Sequence, residues 1–82
     1  MVTKVRSVAM IFNHVRFGND ILACRLELGL KGDTIAALTG CMHATLVYKY
    51  EGGKEENPKM ENFLALCNVF DLDPREYFEL VR

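Results

Sequence analysis

Apolar residues recur at spacings of three and four along most of the chain, in short segments that end at glycine. This spacing is typical of amphipathic helices, and a glycine after the last apolar position commonly ends a helix. The pattern predicts three successive helices: one over about 20–28 that ends at Gly29, one starting at Gly32 or Asp33 that ends at Gly40, and one from about His43 or Ala44 to Glu51. Short helices around a glycine corner are typical of a helix-turn-helix unit.

Two further helical segments follow a polar loop over 52–58. A fourth helix is predicted over about 59–70, and Asp73 is expected to cap a last helical turn that begins with Pro74. Helical spacing predicts that the inward positions of all these segments share one core. They are Ile21, Cys24, Leu28, Ile35, Ala36, Leu38, Val47, Tyr50, Met60, Phe63, Leu64, Leu66, Cys67 and Phe70.

The first sixteen residues fit two structures. Their apolar side chains are spaced as on one face of a helix, which favours an amphipathic helix. The β-branched run that ends at Phe12 also suits an edge strand. If the core is complete without this apolar stripe, the stripe either packs within the subunit or forms a homodimer contact. The candidate dimerisation residues are Val5, Val8, Ile11, Phe12 and Val15.

A polar stretch over 13–19, which includes Gly18, predicts a break before the first helix. Asn19 or Asp20 is then the expected N-cap of that helix. The domain organisation expected from this break is an N-terminal extension, residues 1–16, followed by one helix-turn-helix domain, residues 17–82.

Composition narrows the class of protein. The chain has 82 residues, half of them hydrophobic, which is enough for one domain with its own core. It contains no apolar run of the roughly 18 residues that a membrane span needs and no signal-peptide pattern, so we expect no membrane association and a cytoplasmic protein. Its three cysteines, Cys24, Cys41 and Cys67, are too widely spaced for a zinc motif and are interpreted as small apolar side chains.

No enzymatic motif is present. The chain has two histidines and no recognisable nucleophile, metal-protease or nucleotide-binding pattern, so we expect neither an enzyme nor a cofactor or metal. Net charge is −1. The first 19 residues contain three basic and no acidic residues, and the acidic residues lie further along. A basic face toward nucleic acid would therefore combine the N-terminal segment with scattered lysines.

One family resemblance follows from several motifs in a fixed order: Arg25-Leu26-Glu27-Leu28-Gly29-Leu30, Ile35-Ala36, Gly40, Glu51-Gly52-Gly53-Lys54, Pro58, the segment 63–74 and Glu76-Tyr77-Phe78. This order resembles the lambdoid phage repressor and Cro (XRE-like) family, over roughly Gly18 to Leu80. The resemblance implies an all-α fold, a compact five-helix lambda-repressor-like domain, preceded here by an N-terminal extension that is a helix or an edge strand. It also implies binding of double-stranded DNA through the third helix.

The resemblance also implies site residues. The helix over about 43–51 would present its outward side chains to the major groove, with flanking lysines on phosphates. The implied DNA-binding residues are His43, Ala44, Thr45, Tyr48, Lys49, Lys54 and Lys31. Arg25 and Glu51 would form a structural pair between the first and third helices. The alternatives are ordinary solvent-exposed side chains, a histidine cap, a dimer contact at Tyr48 and two unrelated surface charges.

Two departures from the family pattern affect this interpretation. Gly32 stands at the start of the second helix, where the family usually has a glutamine that holds a phosphate. The segment before Glu51 is also one residue longer than usual, so that either Leu46 or Val47 faces inward. The glycine stop after Glu51 favours Val47, which places the extra residue in the turn at Cys41-Met42.

Two classes of function remain. The first is a small transcriptional regulator of phage or bacterial origin that binds duplex DNA as a homodimer. The second is a protein-interaction module that keeps the helix-turn-helix fold with weak or no DNA binding, such as an antirepressor-like protein or an antitoxin, whose partner would be a repressor or a toxin.

Overall fold

The computed structural model describes residues 9–81, and the side chains of residues 10–80. Two short strands and four α-helices make up this part of the chain, with a 3₁₀ turn over Pro74–Tyr77 before the second strand. In chain order they are β1 (Ala9–Phe12), α1 (His14–Leu28), α2 (Gly32–Thr39), α3 (Ala44–Glu51), α4 (Met60–Phe70) and β2 (Phe78–Val81).

The two ends of the described chain pair as antiparallel strands. Met10 lies opposite Leu80, and Phe12 lies opposite Phe78. The Asn13 amide continues this pairing by donating to the Tyr77 carbonyl at 2.7 Å. Of the two structures considered for the N-terminal segment, the strand is therefore present over 9–12 and the favoured helix is wrong there. The fold is mostly helical, and the expected all-α, five-helix count is not found in residues 9–81, because the fifth helix is a 3₁₀ turn that leads into β2.

Helix α1 begins six residues earlier than predicted. Asn13 is its N-cap, and the Asn13 side chain accepts a hydrogen bond from the Arg16 amide at 3.0 Å. Asp20, predicted as a cap, instead lies inside α1 and accepts a hydrogen bond from the Tyr77 hydroxyl at 2.7 Å. The expected boundary between residues 16 and 17 thus falls within α1.

Gly18 is buried inside α1 and does not break it. A Cβ placed on Gly18 would lie 2.1 Å from the Tyr50 carbonyl oxygen, far inside van der Waals contact. The residue is therefore glycine because α1 passes directly against the end of α3 at this point. A Gly in a helix interior costs about 1 kcal/mol relative to alanine, which the close helix packing offsets.

The helix-turn-helix unit follows the predicted bounds closely. Gly40 ends α2 in the left-handed conformation (φ 71°), which favours glycine, and α3 ends at Glu51 as predicted. The N-cap of α2 is Lys31, which makes no side-chain capping bond, whereas Asp33 lies in the first turn. Helix α2 thus begins at Gly32, one of the two predicted starts, whereas Asp33 does not serve as the N-cap that its residue type suits and instead complements the helix dipole from the first turn.

An aromatic cluster forms the centre of the core. The Phe17 ring lies 4.8 Å from the Phe63 ring and 4.9 Å from the Tyr77 ring, measured between centroids. Phe12 from β1 packs edge-on against Phe63 at 5.2 Å. The buried hydrophobic residues are Phe17, Ile21, Ile35, Ala36, Val47, Tyr50, Phe63, Leu66, Cys67 and Tyr77. These buried residues join the four helices and the 3₁₀ turn into one packed unit, and Phe12 and Phe78 of the sheet pack against it.

Four predicted core positions are exposed instead: Leu28, Leu38, Met60 and Leu64. In α2 the buried face is centred between Ile35 and Ala36, and Leu38 lies about 110° around the helix from that centre. Met60 is the first residue of α4 and is 63% exposed. Cys24 and Phe70 are only partly buried.

Polar groups within the core are few. The Tyr50 hydroxyl is buried and makes no hydrogen bond within residues 9–81, and burial raises the pKa of Tyr50. Burial also raises the pKa of Cys67 to about 11, which keeps this thiol protonated and unreactive at neutral pH. Cys67 thus behaves as the small apolar side chain predicted from sequence.

Candidate nucleic-acid interface

Helix α3 has one buried and one exposed face. Val47 and Tyr50 are buried, which confirms the inward register chosen from the glycine stop. Thr45, Tyr48 and Lys49 are exposed on the other side, with His43 exposed at the N-cap and Ala44 partly buried. The exposed face therefore carries a hydroxyl, a phenol and an ammonium group, all of which are hydrogen-bond donors.

A buried ion pair fixes the end of α3 to α1. Arg25 Nε donates to Glu51 Oε2 at 2.6 Å, and Arg25 Nη2 donates to Glu51 Oε1 at 2.9 Å. Both side chains are largely buried, with 14% and 7% of their surface exposed. Arg25 Nη1 also donates to the Leu30 carbonyl at 3.0 Å, so the same guanidinium holds the turn between α1 and α2.

The Arg25–Glu51 geometry is the two-bond arrangement that suits a planar guanidinium and a carboxylate. The hydrogen bond to Glu51 raises the pKa of Arg25 further above its already high value. Because both ends are buried, this pair is screened by salt much less than a surface pair. Its structural effect is to fix the angle at which α3 leaves the core.

Tyr48 packs against both α1 and α2. The Arg25 guanidinium carbon lies 5.5 Å from the centroid of the Tyr48 ring, within the range of a cation–π contact. A Cβ on Gly32 would be 2.5 Å from Tyr48 Cζ and 2.6 Å from the Tyr48 hydroxyl oxygen. Gly32, the first residue of α2, thus provides the space in which this ring lies.

The lysines around α3 differ in their surroundings. Lys49 Nζ lies 3.4 Å from Glu55 Oε2, a half-exposed pair that costs little to open. Lys31 is exposed immediately before α2, and Lys54 is exposed shortly after α3. Glu51 and Glu55, two of the acidic residues nearest α3 in sequence, are each paired with a cation. The negative charge close to α3 is therefore partly neutralised.

The turn between α2 and α3 comprises residues 40–43. Thr39 Oγ1 donates to the Ala36 carbonyl at 2.7 Å at the end of α2. Met42 and Leu46 are partly buried and pack against the core. Met42 thus anchors the turn to the core, and Val47 of α3 faces inward.

The described part of the chain contains no cluster of metal-ligating side chains. Among residues 9–81, no three histidine, cysteine, aspartate or glutamate side chains come close enough to hold a metal ion. In the same part of the chain, none of the helices combines the length and apolar character of a membrane span.

Sequence reasoning missed the packing of Tyr48 on Gly32. The pattern placed Tyr48 among outward residues and Gly32 among departures from the family, without connecting them. Only the helix–helix geometry shows that the two positions share one space. A bulky aromatic on one helix and a glycine at the start of its neighbour are a signal for such a contact, but a weak one.

Comparison with known proteins finds similarity among solved structures. No family model and no curated protein matches the chain. Among solved structures, the fold is similar to the crystal structure of the restriction-modification controller protein C.AhdI from Aeromonas hydrophila. The two chains are 33% identical, the match covers 78% of this chain and 94% of C.AhdI, and the TM-score is 0.63.

Proposed function

The chain belongs to the helix-turn-helix family of regulators that includes the controller protein C.AhdI, and we propose that it binds specific duplex DNA through α3. The observation that carries this proposal is the exposed face of α3, whose orientation is fixed by the buried Arg25–Glu51 pair. A helix held rigidly with polar side chains outward has the form that enters a major groove. Specific binding of this kind would make the protein a transcriptional regulator.

Thr45 and Lys49 are the proposed base-reading residues. Thr45 can exchange hydrogen bonds with a base edge and can place its methyl against a thymine methyl. Lys49 can reach guanine once it leaves Glu55, because a half-exposed ion pair contributes only up to about 1 kcal/mol. His43, Lys31 and Lys54 are the proposed phosphate contacts, and Ala44 allows close approach of the helix to the groove floor.

The proposal is tested by selecting duplexes from a randomised DNA library with the wild-type chain. We expect an enriched sequence, and we expect Thr45→Ala combined with Lys49→Ala to weaken binding to it at least about thirtyfold, given roughly 1–3 kcal/mol for each of the two lost base contacts. Affinity is measured by fluorescence anisotropy at several salt concentrations. Loss of Lys49 as a phosphate ligand alone would instead lower the salt slope by about 0.9 without changing sequence preference.

The control for this double variant is Thr34→Ala combined with Lys59→Ala. Both positions are exposed and lie outside α3, so unchanged binding is expected. Circular dichroism of all variants should match the wild type, since none of the four side chains is buried. Wild-type affinity in the Thr45/Lys49 variant would remove α3 from the mechanism.

The regulator is proposed to act as a homodimer, because one reading helix contacts too few base pairs and two-fold related half-sites solve this. The surface proposed for the second copy is the apolar groove between β1 and α4. Met10, Met60 and Leu64 line a cavity of about 260 Å³ there. The opposite strand adds Leu80, which is exposed beside Met10.

This surface differs from the stripe predicted from sequence. Phe12 belongs to the core, whereas Ile11 and Val15 are each 53% exposed. Val5 and Val8 lie outside the described residues. Ile11 alternates with Met10 along β1 and therefore lies on the other face of the sheet. The two candidate interfaces can thus be separated by single substitutions.

We expect Met60→Glu to weaken dimerisation about hundredfold or more, because it places an unpaired charge in a closed apolar contact. Analytical ultracentrifugation measures the effect. Leu26→Glu is the matched control, since Leu26 is 62% exposed on α1 and Met60 is 63% exposed. Dissociation by Ile11→Glu but not by Met60→Glu would assign the dimer to the N-terminal stripe.

A second function is favoured by one observation. The net charge of −1 is unusual for a protein that must neutralise phosphates, and a protein-interaction module of the same fold would not need a basic face. In that case the partner would be a protein such as a repressor or a toxin. Failure of the wild-type chain to enrich any DNA sequence would support this function.

A further inference from the structure

The contact between Tyr48 and Gly32 joins the two helices of the DNA-binding unit at one point. Gly32 begins α2, and Tyr48 lies one turn before the end of α3. The ring occupies the space in which any side chain at position 32 would begin, with Cζ, Cε1 and the hydroxyl all within 2.8 Å of that site. The space is filled by Tyr48 only because residue 32 has no side chain.

The same ring also lies within cation–π distance of Arg25, whose guanidinium bonds Glu51 and the Leu30 carbonyl. Tyr48 and Glu51 are three residues apart and so lie on one side of α3. One cation thus holds two side chains of α3, while Gly32 receives the ring of one of them. Tyr48 remains 49% exposed, so its ring has an open direction in which to move.

We propose that Gly32 keeps the Tyr48 ring packed against α2 and Arg25, at the edge of the exposed face of α3, and that this packing positions Thr45 and Lys49 for DNA with the space beside them open. The inference rests on the proposed function. It assigns Tyr48 a positioning role in place of the direct DNA contact that the family resemblance implies. It also explains why residue 32 is glycine: a side chain there would displace the Tyr48 ring.

The proposal predicts how substitutions of Gly32 and Tyr48 affect DNA binding, alone and in combination. A side chain at position 32 displaces the far end of an exposed ring and not the backbone, so Gly32→Ala should fold normally. The displaced ring then turns outward beside Lys49, into the space that DNA would occupy. Removing the ring as well should relieve this obstruction. Gly32→Ala should therefore be more harmful alone than together with Tyr48→Ala.

The probes are the duplex enriched by the wild-type chain and a scrambled duplex of equal length. We expect Gly32→Ala to weaken binding to the enriched duplex at least about tenfold and binding to the scrambled duplex less than about twofold, because phosphate contacts do not depend on this geometry. The double variant should regain the affinity of Tyr48→Ala alone. Tyr48→Phe, which keeps the ring, should bind as the wild type does.

Two further measurements separate positioning from the alternatives. A nuclear Overhauser contact between the Gly32 α-protons and the Tyr48 ring should be present in the wild type and lost in Gly32→Ala. The unfolding temperature of Gly32→Ala should change by less than about 5 °C, which corresponds to a small stability effect for a domain of this size. Thermal unfolding followed by circular dichroism measures it.

Three results would overturn the proposal. The first is an absent Gly32–Tyr48 contact, and the second is a double variant no better than Gly32→Ala. The third is a Tyr48→Phe variant that loses affinity with a salt slope lower by about 0.9, which would make the hydroxyl a phosphate ligand. If the wild type enriches no sequence, the proposed function itself fails. If it enriches one and Gly32→Ala retains the preference, only the positioning role fails.

Discussion

Replacing Gly18 by alanine should lower the free energy of unfolding by about 3 kcal/mol or more, a large part of the total for a small domain. The added Cβ would lie 2.1 Å from the Tyr50 carbonyl and 3.1 Å from the Gly53 amide nitrogen, both of which are backbone atoms. No rotamer change relieves such a clash, so α1 and the end of α3 must separate. Alanine's better helix propensity, worth about 1 kcal/mol, is too small to compensate.

Urea unfolding followed by circular dichroism measures this change, with the slope showing whether the unfolding stays two-state. Gly52→Ala is the matched control. Its nearest neighbours would be the Tyr48 carbonyl at 3.5 Å, the Lys49 carbonyl at 3.7 Å and Lys54 Cδ at 3.9 Å, all at ordinary van der Waals distance, and Gly52 has a right-handed conformation (φ −77°). We expect Gly52→Ala to change stability by less than about 0.5 kcal/mol. Equal effects in the two variants would show that α1 and α3 do not approach as closely as described.

Gly18 also shows where sequence reasoning succeeds and fails. Glycine at positions 29 and 40 was correctly predicted to end helices, because each follows the last position of an apolar helical pattern and adopts the left-handed conformation of a helix end. Gly18 looks the same locally, but its reason is the approach of a segment more than thirty residues away. Local patterns cannot distinguish a helix stop from a helix crossing. For the same reason, local patterns did not predict the β1–β2 pairing, which joins the two ends of the described chain.

Side-chain burial was predicted correctly in the helices whose apolar face packs against the core. Val47 and Tyr50 in α3 and Phe63 and Leu66 in α4 are buried as expected from their spacing. The spacing failed in α2, whose eight residues bury so narrow a face that apolar Leu38 remains outside. Surface apolar residues are common, so an apolar pattern alone overestimates the core. Phe17 was missed because it lay in the supposed break.

The candidate site likewise has features that the sequence predicts and features that depend on the assembled fold. The outward position of Thr45 and Lys49 followed from the inward register of Val47, which sequence spacing fixed. The place of Tyr48 depends on Gly32 and Arg25, which lie on two other helices, and no spacing along α3 can give it. Sequence therefore predicts which side chains of the reading helix face outward. The packing that orients the helix comes only from the assembled fold.

Breaking the Arg25–Glu51 ion pair should lower the stability of the fold much more than breaking an exposed ion pair does. We expect Glu51→Gln to lower the free energy of unfolding by about 3 kcal/mol, because it leaves a buried guanidinium without its counter-charge. Urea unfolding measures the loss. Glu76→Gln is the matched control, since Glu76 pairs with Arg16 at 3.6 Å with both side chains more than half exposed. That exposed pair should contribute less than about 1 kcal/mol.

A double-mutant cycle distinguishes a specific pair from a generally fragile site. Arg25→Met combined with Glu51→Leu removes both charges and keeps apolar volume, so it should be more stable than Glu51→Leu alone. A coupling energy of about 2 kcal/mol is expected for two groups in direct contact. Additive losses, or a Glu51→Gln variant no worse than Glu76→Gln, would mean that the orientation of α3 depends on the apolar packing of Val47 and Tyr50 and not on this ion pair.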